Sequence, residues 1–375
     1  MAKHAALAIY AGSNAAKQLS ETGWQADRFS LLMGASGGPK MFALSQLDRV
    51  LFPFLKNRNA PLSALGSSIG AWRHACLAQD DPVAAMNRLE QGYLHQSYDT
   101  DKLSVAQISE FSRALLEETL STQGTAQIIG HPQIKSHIVT ARGRGPNSAQ
   151  GSAPRIAGMG SAALGNSIDR RILGKLFQRV VFYSGDKPGD KLPLEGFDNH
   201  FVPLTPDNLK HALHATASIP FLLEGDKDIP GAPLGHYWDG GIIDYHFDPA
   251  YNAGDTGLIL YPHFGTDIIT GWFDKMLPWR RNTKTPLDQL VVLCPSKDFI
   301  ASLPGGKIPD RRDFTRLDTN TRMRHWIETI KRCEQMAEEF AKVLSSDDPL
   351  RYVQVLPQGA RRLSADVPAR PSHAL

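Results

Sequence analysis

Two short apolar runs near the start of the chain end in glycine, and each is followed by a helical pattern. FSLLMG (29–34) and PLSALG (61–66) have the length and composition of buried strands. Apolar residues recur at helical spacing over 39–56, and AWRHACLA (71–78) opens a second helix. This alternation of strand and helix predicts an α/β protein with a mostly parallel central sheet and helices on both faces, a three-layer α/β/α fold.

The rest of the chain continues the same alternation. The further strand candidates are 135–141, 258–264 and 289–295, and the helix candidates are 104–120, 207–222 and 322–344. In 207–222, Asp207 is a suitable N-cap and Pro220 ends the helical pattern.

Two segments break the pattern. Residues 142–167 are rich in Gly, Ala, Ser and Pro and have no apolar periodicity, which predicts a long flexible loop that could act as a lid. The polar, basic end of the chain predicts a loose tail over 356–375, after a single domain spanning 1–355.

Composition narrows the function classes. The chain is 42% hydrophobic and 21% charged, which is ordinary for a globular protein, and its net charge of +3 is too weak to indicate nucleic-acid binding. Its three cysteines are scattered, which favours a reducing compartment, and we expect a cytoplasmic protein. No apolar run approaches the ~20 residues of a membrane span, and the first 15 residues match a secretion signal only weakly.

The chemistry of the chain centres on two copies of the pattern G-x-S-x-G. GASGG (34–38) follows the first predicted strand, and GSSIG (66–70) follows the second. This pattern places a nucleophilic serine on a tight strand-to-helix turn in hydrolases. Ligands of parallel sheets bind at the edge where such turns lie, so both motifs fall on the expected functional edge.

GSSIG has the features of a nucleophile turn. Gly66 and Gly70 are small enough for the close backbone approach that the turn requires, and the helix that follows directs its positive end toward Ser68. The alternative is a tight turn in which Ser68 only caps the helix.

GASGGPK fits a different role. The adjacent glycines Gly37 and Gly38 leave two backbone N–H groups free to approach one point, as an oxyanion hole requires. Ser36 is then a small residue that fills or stabilises the turn. Phosphate-binding alternatives fail, because Pro39 and Met41 break the P-loop pattern and Ser36 breaks the dinucleotide fingerprint.

A third stretch, WDGGIIDYHF (238–247), supplies a candidate base. Asp239 comes at the end of a short apolar-aromatic run and precedes two glycines, so its carboxylate could accept the proton of Ser68. The alternative is an ordinary turn aspartate, since Asp-Gly is a common turn signal.

Taken together, these stretches resemble the patatin-like phospholipases. The resemblance covers residues 29–250 and is carried by SGGPK (36–40), GSSIG, the segment ATASIPFLL (215–223) and the Asp-Gly-Gly that begins at Asp239, in this order.

The resemblance implies a lipid acyl hydrolase of the phospholipase A or lysophospholipase type. It implies Ser68 as nucleophile, Asp239 as base, Gly37 and Gly38 as oxyanion donors, and Lys40 at a position that usually holds arginine near the substrate. It implies no cofactor and no metal ion.

This sequence departs from the family pattern at two positions of the glycine-rich segment. Ser36 stands where many members have the first of three glycines, and Met41 stands where many have glycine. The Gly37–Gly38 pair is intact, so the two donors that the resemblance implies are retained.

Two other functions remain open. An α/β-hydrolase with a Ser-His-Asp triad could use His246, His263 or His325, although its serine usually lies later in the chain. A catalytically silent lipid-binding scaffold on the same fold is the other.

A membrane surface is a further candidate partner. GWFDKMLPWRR (271–281) places Trp272 and Trp279 among cations, and RRILGKLFQR (170–179) is similar in character. The alternative is a packed loop and an ordinary core helix. The sequence gives no indication of the oligomeric state.

Overall fold

The computed structural model describes residues 5–96, 104–149, 151–188, 192, 194–249, 257–280 and 283–363. Within these residues, eleven strands form one mixed sheet. The strands are β1 (Leu7–Ala11), β2 (Phe29–Gly34), β3 (Leu62–Ser67), β4 (Ile134–Gly143), β5 (Phe177–Tyr183), β6 (Asn199–Pro203), β7 (Asp226–Lys227), β8 (His236–Asp239), β9 (Leu258–Pro262), β10 (Leu290–Pro295) and β11 (Val353–Val355).

Helices pack around this sheet. They are α1 (Ser13–Thr22), α2 (Ser45–Lys56), α3 (Ile69–Leu77), α4 (Pro82–Leu94), α5 (Val105–Leu120), α6 (Gly124–Gly130), α7 (Ser152–Ile168), α8 (Leu173–Leu176), α9 (Leu209–Ala217), α10 (Lys297–Ser302), α11 (Asp313–Arg316) and α12 (Thr319–Leu344). Short 3₁₀ turns cover Ala26–Arg28, Gly38–Ala43, Gly145–Asn147, Arg170–Ile172, Gly240–Ile242, Trp272–Met276, Pro278–Arg280 and Pro304–Gly306.

The centre of the sheet is parallel. The strand order is β11-β1-β10-β9-β2-β3-β4-β5-β6, and each neighbouring pair from β10 to β4 is parallel, whereas β8 pairs antiparallel with β4. Strands β9 and β10 are buried along their whole length, because helices cover parallel sheets on both faces. The predicted α/β architecture with a mostly parallel sheet is confirmed.

The sequence located the main elements well. The strands expected at 135–141, 258–264 and 289–295 are β4, β9 and β10, and the helices expected at 104–120 and 322–344 are α5 and α12.

Helix α9 differs from its prediction at its N-terminus. It begins at Leu209 with Asn208 at the N-cap position, so the assignment of Asp207 as the cap was wrong. The Asn208 side chain accepts a hydrogen bond from the Thr205 N–H and donates to two backbone carbonyls, which fixes the chain before the helix.

The expected loop over 142–167 is the clearest error. Residues 142 and 143 belong to β4, and α7 occupies most of the remainder. Glycine made this helix hard to predict because it lowers helix propensity. Two of its three glycines serve packing: a Cβ on Gly158 would lie 2.3 Å from the Asn147 side chain, and one on Gly165 would lie 2.6 Å from Ile172.

Described residues near both ends of the chain are packed, which the sequence did not predict. β1 lies between β10 and β11, so the N-terminal apolar stretch belongs to the sheet. Leu356 and Leu363 are buried, so the first part of the predicted tail packs on the body of the protein. The tail residues 364–375 lie outside the described residues.

Two hydrophobic clusters stabilise the fold. The large one runs in sequence from Ala6 to Leu363. A smaller one joins α7 and α8 to Trp238 of β8 and to Ile242 and Ile243 after it. Within the described part of the chain, none of the helices combines the length and apolar character needed to cross a bilayer.

Candidate active site

The sheet topology brings the three sequence motifs to one place. β2 and β3 are parallel neighbours, with Gly34 opposite Gly66, so GASGG and GSSIG leave the sheet side by side. β4 is the next strand, and β8 pairs with it so that Asp239 lies opposite Thr140. Residues far apart in the sequence therefore meet at one edge of the sheet.

Ser68 occupies the strained conformation of a nucleophile turn. Its φ is 53°, a value that non-glycine residues rarely adopt. A Cβ on Gly70 would lie 2.2 Å from the Gly34 carbonyl oxygen, and one on Gly66 would lie 2.6 Å from the Ala71 nitrogen. Neither position can therefore hold a side chain. The turn that the two glycines allow places Ser68 directly before the first residue of α3.

The hydroxyl of Ser68 meets the carboxylate of Asp239. Ser68 Oγ donates a hydrogen bond of 3.0 Å to Asp239 Oδ2, across 171 positions of sequence. The Gly241 N–H donates to the other carboxylate oxygen at 2.7 Å, which fixes the orientation of the side chain. Both side chains are buried. This geometry is within the range for direct proton transfer between a nucleophile and its base.

Burial makes Asp239 a better base than a free aspartate. Loss of water around the carboxylate raises its pKa to about 6, although the Gly241 N–H, Arg311, Ser68 and Lys275 act in the opposite direction. A base with this pKa is ionised at neutral pH and still has useful proton affinity.

Two hydroxyl residues before β8 hold the dyad in place. Thr216 Oγ1 accepts a hydrogen bond of 2.9 Å from the Ser68 N–H and itself donates to the Val139 carbonyl. The Ser218 carbonyl accepts a bond of 2.8 Å from the Asp239 N–H. Both residues belong to the ATASIPFLL segment. The family resemblance included this segment, but the sequence did not predict that Thr216 and Ser218 position the dyad.

Ser36 has a structural role that links the three motifs. Its hydroxyl lies 2.7 Å from that of Ser67, which donates at 2.6 Å to the Asp244 carbonyl. Because Ser67 has one proton and gives it to Asp244, Ser36 is the donor to Ser67. The Ser36 N–H also donates to the Tyr245 carbonyl at 2.9 Å. Ser36 therefore ties the glycine-rich loop to the residues after Asp239.

Gly37 and Gly38 retain unused donors. Among the described residues, neither N–H has a hydrogen-bond acceptor. Gly38 has a φ of 56°, which glycine adopts without strain. A Cβ on Gly37 would lie 2.8 Å from the Phe264 ring. The loop therefore keeps two backbone donors available, as expected of an oxyanion hole.

Comparison with known proteins gives no match to the sequence. No protein-family model matches the chain, and no curated protein matches it significantly. Interpretation of the site therefore depends on its geometry.

Three basic side chains lie near the glycine-rich loop and the dyad. Lys40 Nζ lies 5.6 Å from the centre of the Tyr245 ring and Lys275 Nζ lies 3.6 Å from it. Arg311 comes close to Gly38 and acts electrostatically on both Asp239 and Lys275. Burial and the neighbouring Arg311 and Lys40 lower the pKa of Lys275 to about 7.

The sequence identified only one of these three cations. Lys40 lies in the glycine-rich motif. Lys275 lies in the segment 271–281, which the sequence marked only as a candidate membrane contact, and Arg311 lies in no motif. Only the fold places them beside the dyad. Neither Lys40 nor Arg311 forms an ion pair with another described residue, so the site presents positive charge to an incoming ligand.

The candidate histidines lie outside the dyad. The buried rings of His246 and His263 pack against each other, with centroids 4.3 Å apart, and burial lowers the pKa of His263 to about 4. His325 lies on α12. None of the three forms a hydrogen bond to Ser68 or Asp239 in the described structure. No group of three or more His, Cys, Asp or Glu side chains among those residues is arranged to hold a metal ion.

We expect the single variants His246→Ala, His263→Ala and His325→Ala to keep ester hydrolysis within about tenfold of wild type. Removal of a residue that acted as the general base would lower the rate by more than this. The measurement is kcat/KM on a water-soluble ester, with thermal unfolding to verify folding. Complete loss of activity in one folded variant would support a triad instead.

We expect Arg311→Met to move the acid limb of the pH–rate profile upward, by up to about one pH unit. Arg311 favours the ionised form of Asp239, so its removal raises that pKa above about 6 and lowers activity near pH 6 while leaving the plateau above pH 8. Arg312→Met is the matched control, because Arg312 pairs with Asp310 instead. Equal profiles for both variants would contradict this electrostatic assignment.

Proposed function

We propose that this protein is a serine acyl-ester hydrolase with a Ser68–Asp239 dyad, of the patatin-like lipid acyl hydrolase type. The observation that carries the proposal is the 3.0 Å hydrogen bond from Ser68 Oγ to Asp239 Oδ2, made by a serine held at positive φ. Besides the nucleophile and the base, the reaction needs an oxyanion hole, and the two unused N–H groups of Gly37 and Gly38 can supply it.

In the first half-reaction, Ser68 Oγ attacks the ester carbonyl carbon and its proton passes to Asp239 Oδ2. The carbonyl electron pair moves to the oxygen, and the N–H groups of Gly37 and Gly38 stabilise the resulting oxyanion. When the intermediate collapses, the bond to the leaving alcohol breaks and that alcohol takes the proton from Asp239. An acyl group then remains on Ser68.

In the second half-reaction, water replaces the alcohol. Asp239 accepts a proton from water as the water oxygen attacks the acyl carbon, and the same two amides stabilise the second oxyanion. Collapse breaks the bond to Ser68 Oγ, which recovers its proton from Asp239. The products are one carboxylic acid and one alcohol, and the dyad returns to its starting state.

Lipids are the proposed substrate class. The order of SGGPK, GSSIG, ATASIPFLL and Asp-Gly-Gly supports this choice through the family resemblance, and the cations Lys40, Lys275 and Arg311 suit an ester that carries a negative group. Both rival functions are less well supported: no candidate histidine contacts the dyad, and a silent scaffold would have no need of a strained serine bonded to a base.

The proposal is tested with a panel of esters of increasing acyl length, together with phospholipid and lysophospholipid, on wild type and Ser68→Ala. We expect hydrolysis by wild type that rises with acyl length and none above background by Ser68→Ala. Equal rates for the two proteins, or no hydrolysis of any ester by folded wild type, would contradict it.

A further inference from the structure

A tyrosine hydroxyl beside the glycine-rich loop has no use in the site described so far. Tyr93 lies in the last turn of α4 and is half-buried. Among the described residues, none forms a hydrogen bond with its hydroxyl. The hydroxyl of a tyrosine packed inside a protein usually has a hydrogen-bond partner. An unpaired hydroxyl beside a reaction centre therefore suggests that its partner is a bound substrate.

The Tyr93 hydroxyl lies close to Gly38. A Cβ on Gly38 would lie 3.2 Å from the Tyr93 hydroxyl oxygen. Because the nitrogen and the Cβ of a residue are bonded to the same Cα, this oxygen lies within about 6 Å of the Gly38 nitrogen. One acceptor oxygen can then lie about 3 Å from both groups, which is hydrogen-bond distance for each. The Tyr93 hydroxyl and the Gly38 N–H can therefore share one acceptor.

Aromatic packing fixes the position of the Tyr93 ring. The ring lies edge-on to Phe42, with centroids 5.8 Å apart, and 6.4 Å from the ring of Trp326. Both neighbours are fully buried, and Phe42 belongs to the 3₁₀ turn Gly38–Ala43. Tyr93 thus packs on the same turn that begins at Gly38. Its hydroxyl is held in place before a substrate binds, as a donor in an oxyanion hole needs to be.

The loop that Tyr93 borders adjoins the dyad. A Cβ on Gly241 would lie 2.7 Å from Ser36 Oγ and 2.9 Å from Asp239 Oδ1. Ser36, which directly precedes Gly37, therefore lies beside the base. Asp239 also interacts electrostatically with Tyr93. The tyrosine hydroxyl, the glycine-rich loop and the carboxylate thus belong to the same part of the molecule.

The hydroxyl is protonated at neutral pH and can donate a hydrogen bond. Burial raises the pKa of Tyr93 to about 12, although Arg311 and Arg322 act in the opposite direction. Arg311 lies on the same side of Gly38, since its Cγ is 3.5 Å from the position that a Cβ there would occupy. The guanidinium charge favours negative charge on an acceptor at this point. A developing oxyanion is such an acceptor.

We propose that Tyr93 donates a third hydrogen bond to the oxyanion, in addition to those from the N–H groups of Gly37 and Gly38. The carbonyl oxygen accepts this bond in both tetrahedral intermediates, and the proton stays on the tyrosine. The oxyanion forms only if Ser68 attacks an ester, so this inference rests on the proposed function. It adds a catalytic residue that lies outside the four sequence motifs.

The first test is Tyr93→Phe, with kcat and KM measured on a soluble ester. The variant keeps the ring that packs on Phe42 and Trp326, and the oxygen that it loses has no partner among the described residues, so we expect it to fold. We expect kcat to fall by about 10²-fold while KM stays within about threefold, as for the loss of an oxyanion donor. Thermal unfolding verifies the fold.

Tyr10→Phe is the matched control. Tyr10 is also buried, but it lies on β1, which β10 and β9 separate from β2 and the glycine-rich loop. We expect this variant to keep kcat within about threefold of wild type. A general effect of losing a tyrosine hydroxyl would instead lower kcat in both variants.

A trifluoromethyl ketone with the same acyl chain separates catalysis from a structural role. Ser68 Oγ adds to its carbonyl carbon as Asp239 takes the serine proton, and the tetrahedral adduct carries the same oxyanion. We expect Tyr93→Phe to bind this ketone more weakly by about the factor that it loses in kcat/KM. The corresponding ether forms no oxyanion and should bind both proteins equally.

Three outcomes would overturn the inference alone, if wild type hydrolyses the ester and Ser68→Ala does not. They are a folded Tyr93→Phe that keeps kcat and ketone affinity within threefold of wild type, one that changes KM only, and one that loses ketone and ether affinity equally. The last two would assign Tyr93 to substrate binding. No hydrolysis of any ester by folded wild type would reject the proposed function, and this inference with it.

Discussion

Replacement of Ser68 by alanine is expected to lower kcat/KM for ester hydrolysis by about 10⁴-fold or more. The variant lacks the atom that forms the acyl-enzyme, so only the oxyanion donors and substrate binding would remain to accelerate hydrolysis. Because the variant keeps the glycines that form the turn, we expect it to fold. The measurement is steady-state hydrolysis of a soluble ester, with thermal unfolding of both proteins.

Ser36→Ala is the matched control for this variant. Ser36 belongs to the other G-x-S-x-G motif and is also buried, but its hydroxyl donates to Ser67 rather than to a base. Its loss removes one buried hydrogen bond, which costs about 1–2 kcal/mol of stability. Activity should stay within about tenfold of wild type. Loss in Ser36→Ala as severe as in Ser68→Ala would show that the two motifs have been assigned the wrong way round.

Asp239→Asn is expected to lower kcat by about 10³-fold or more, because the neutral amide cannot accept the serine proton. The amide oxygen can still accept the Gly241 N–H, so the turn should be preserved. In wild type, the rate should fall as the pH decreases through about 6, since protonated Asp239 is inactive as a base. In the variant, the residual rate should lose this acid limb.

Asp248→Asn provides the control for the loss of a carboxylate. Burial also raises the pKa of Asp248, but its carboxylate accepts hydrogen bonds from the Lys284 N–H and the Thr285 hydroxyl. This variant should keep both the rate and the acid limb. An acid limb near pH 6 that persists in Asp239→Asn and disappears in Asp248→Asn would show that the limb belongs to Asp248 and not to Asp239.

Local backbone requirements explain which parts of the site could be predicted. Gly66 and Gly70 are needed because a side chain at either position would collide with neighbouring backbone, so the nucleophile turn has a sequence pattern. No local sequence pattern predicts the contact between Ser68 and Asp239, since 171 positions separate them. The family resemblance suggested this pairing, and the antiparallel pairing of β8 with β4 brings it about.

Tertiary contacts determine the parts that could not be predicted. Helix α7 contains three glycines, which lower its helix propensity. Two of them, Gly158 and Gly165, become favourable only when Asn147 and Ile172 pack against them. Lys275 lies in the 3₁₀ turn Trp272–Met276 and Arg311 in the turn before α11, and in such turns the sequence does not distinguish a surface cation from a site residue. Ser36 looked like a simple turn residue because its bond to Ser67 depends on the register of two adjacent strands.

The most direct test of the dyad is covalent labelling with a fluorophosphonate probe, with the modified residue identified by mass spectrometry. The probe reacts with a serine only where a base and an oxyanion hole activate it. We expect one label on Ser68 in wild type and in Ser36→Ala, much slower labelling in Asp239→Asn, and none in Ser68→Ala. Folded wild-type protein that takes no label, or takes it at another residue, would contradict Ser68 as the activated nucleophile.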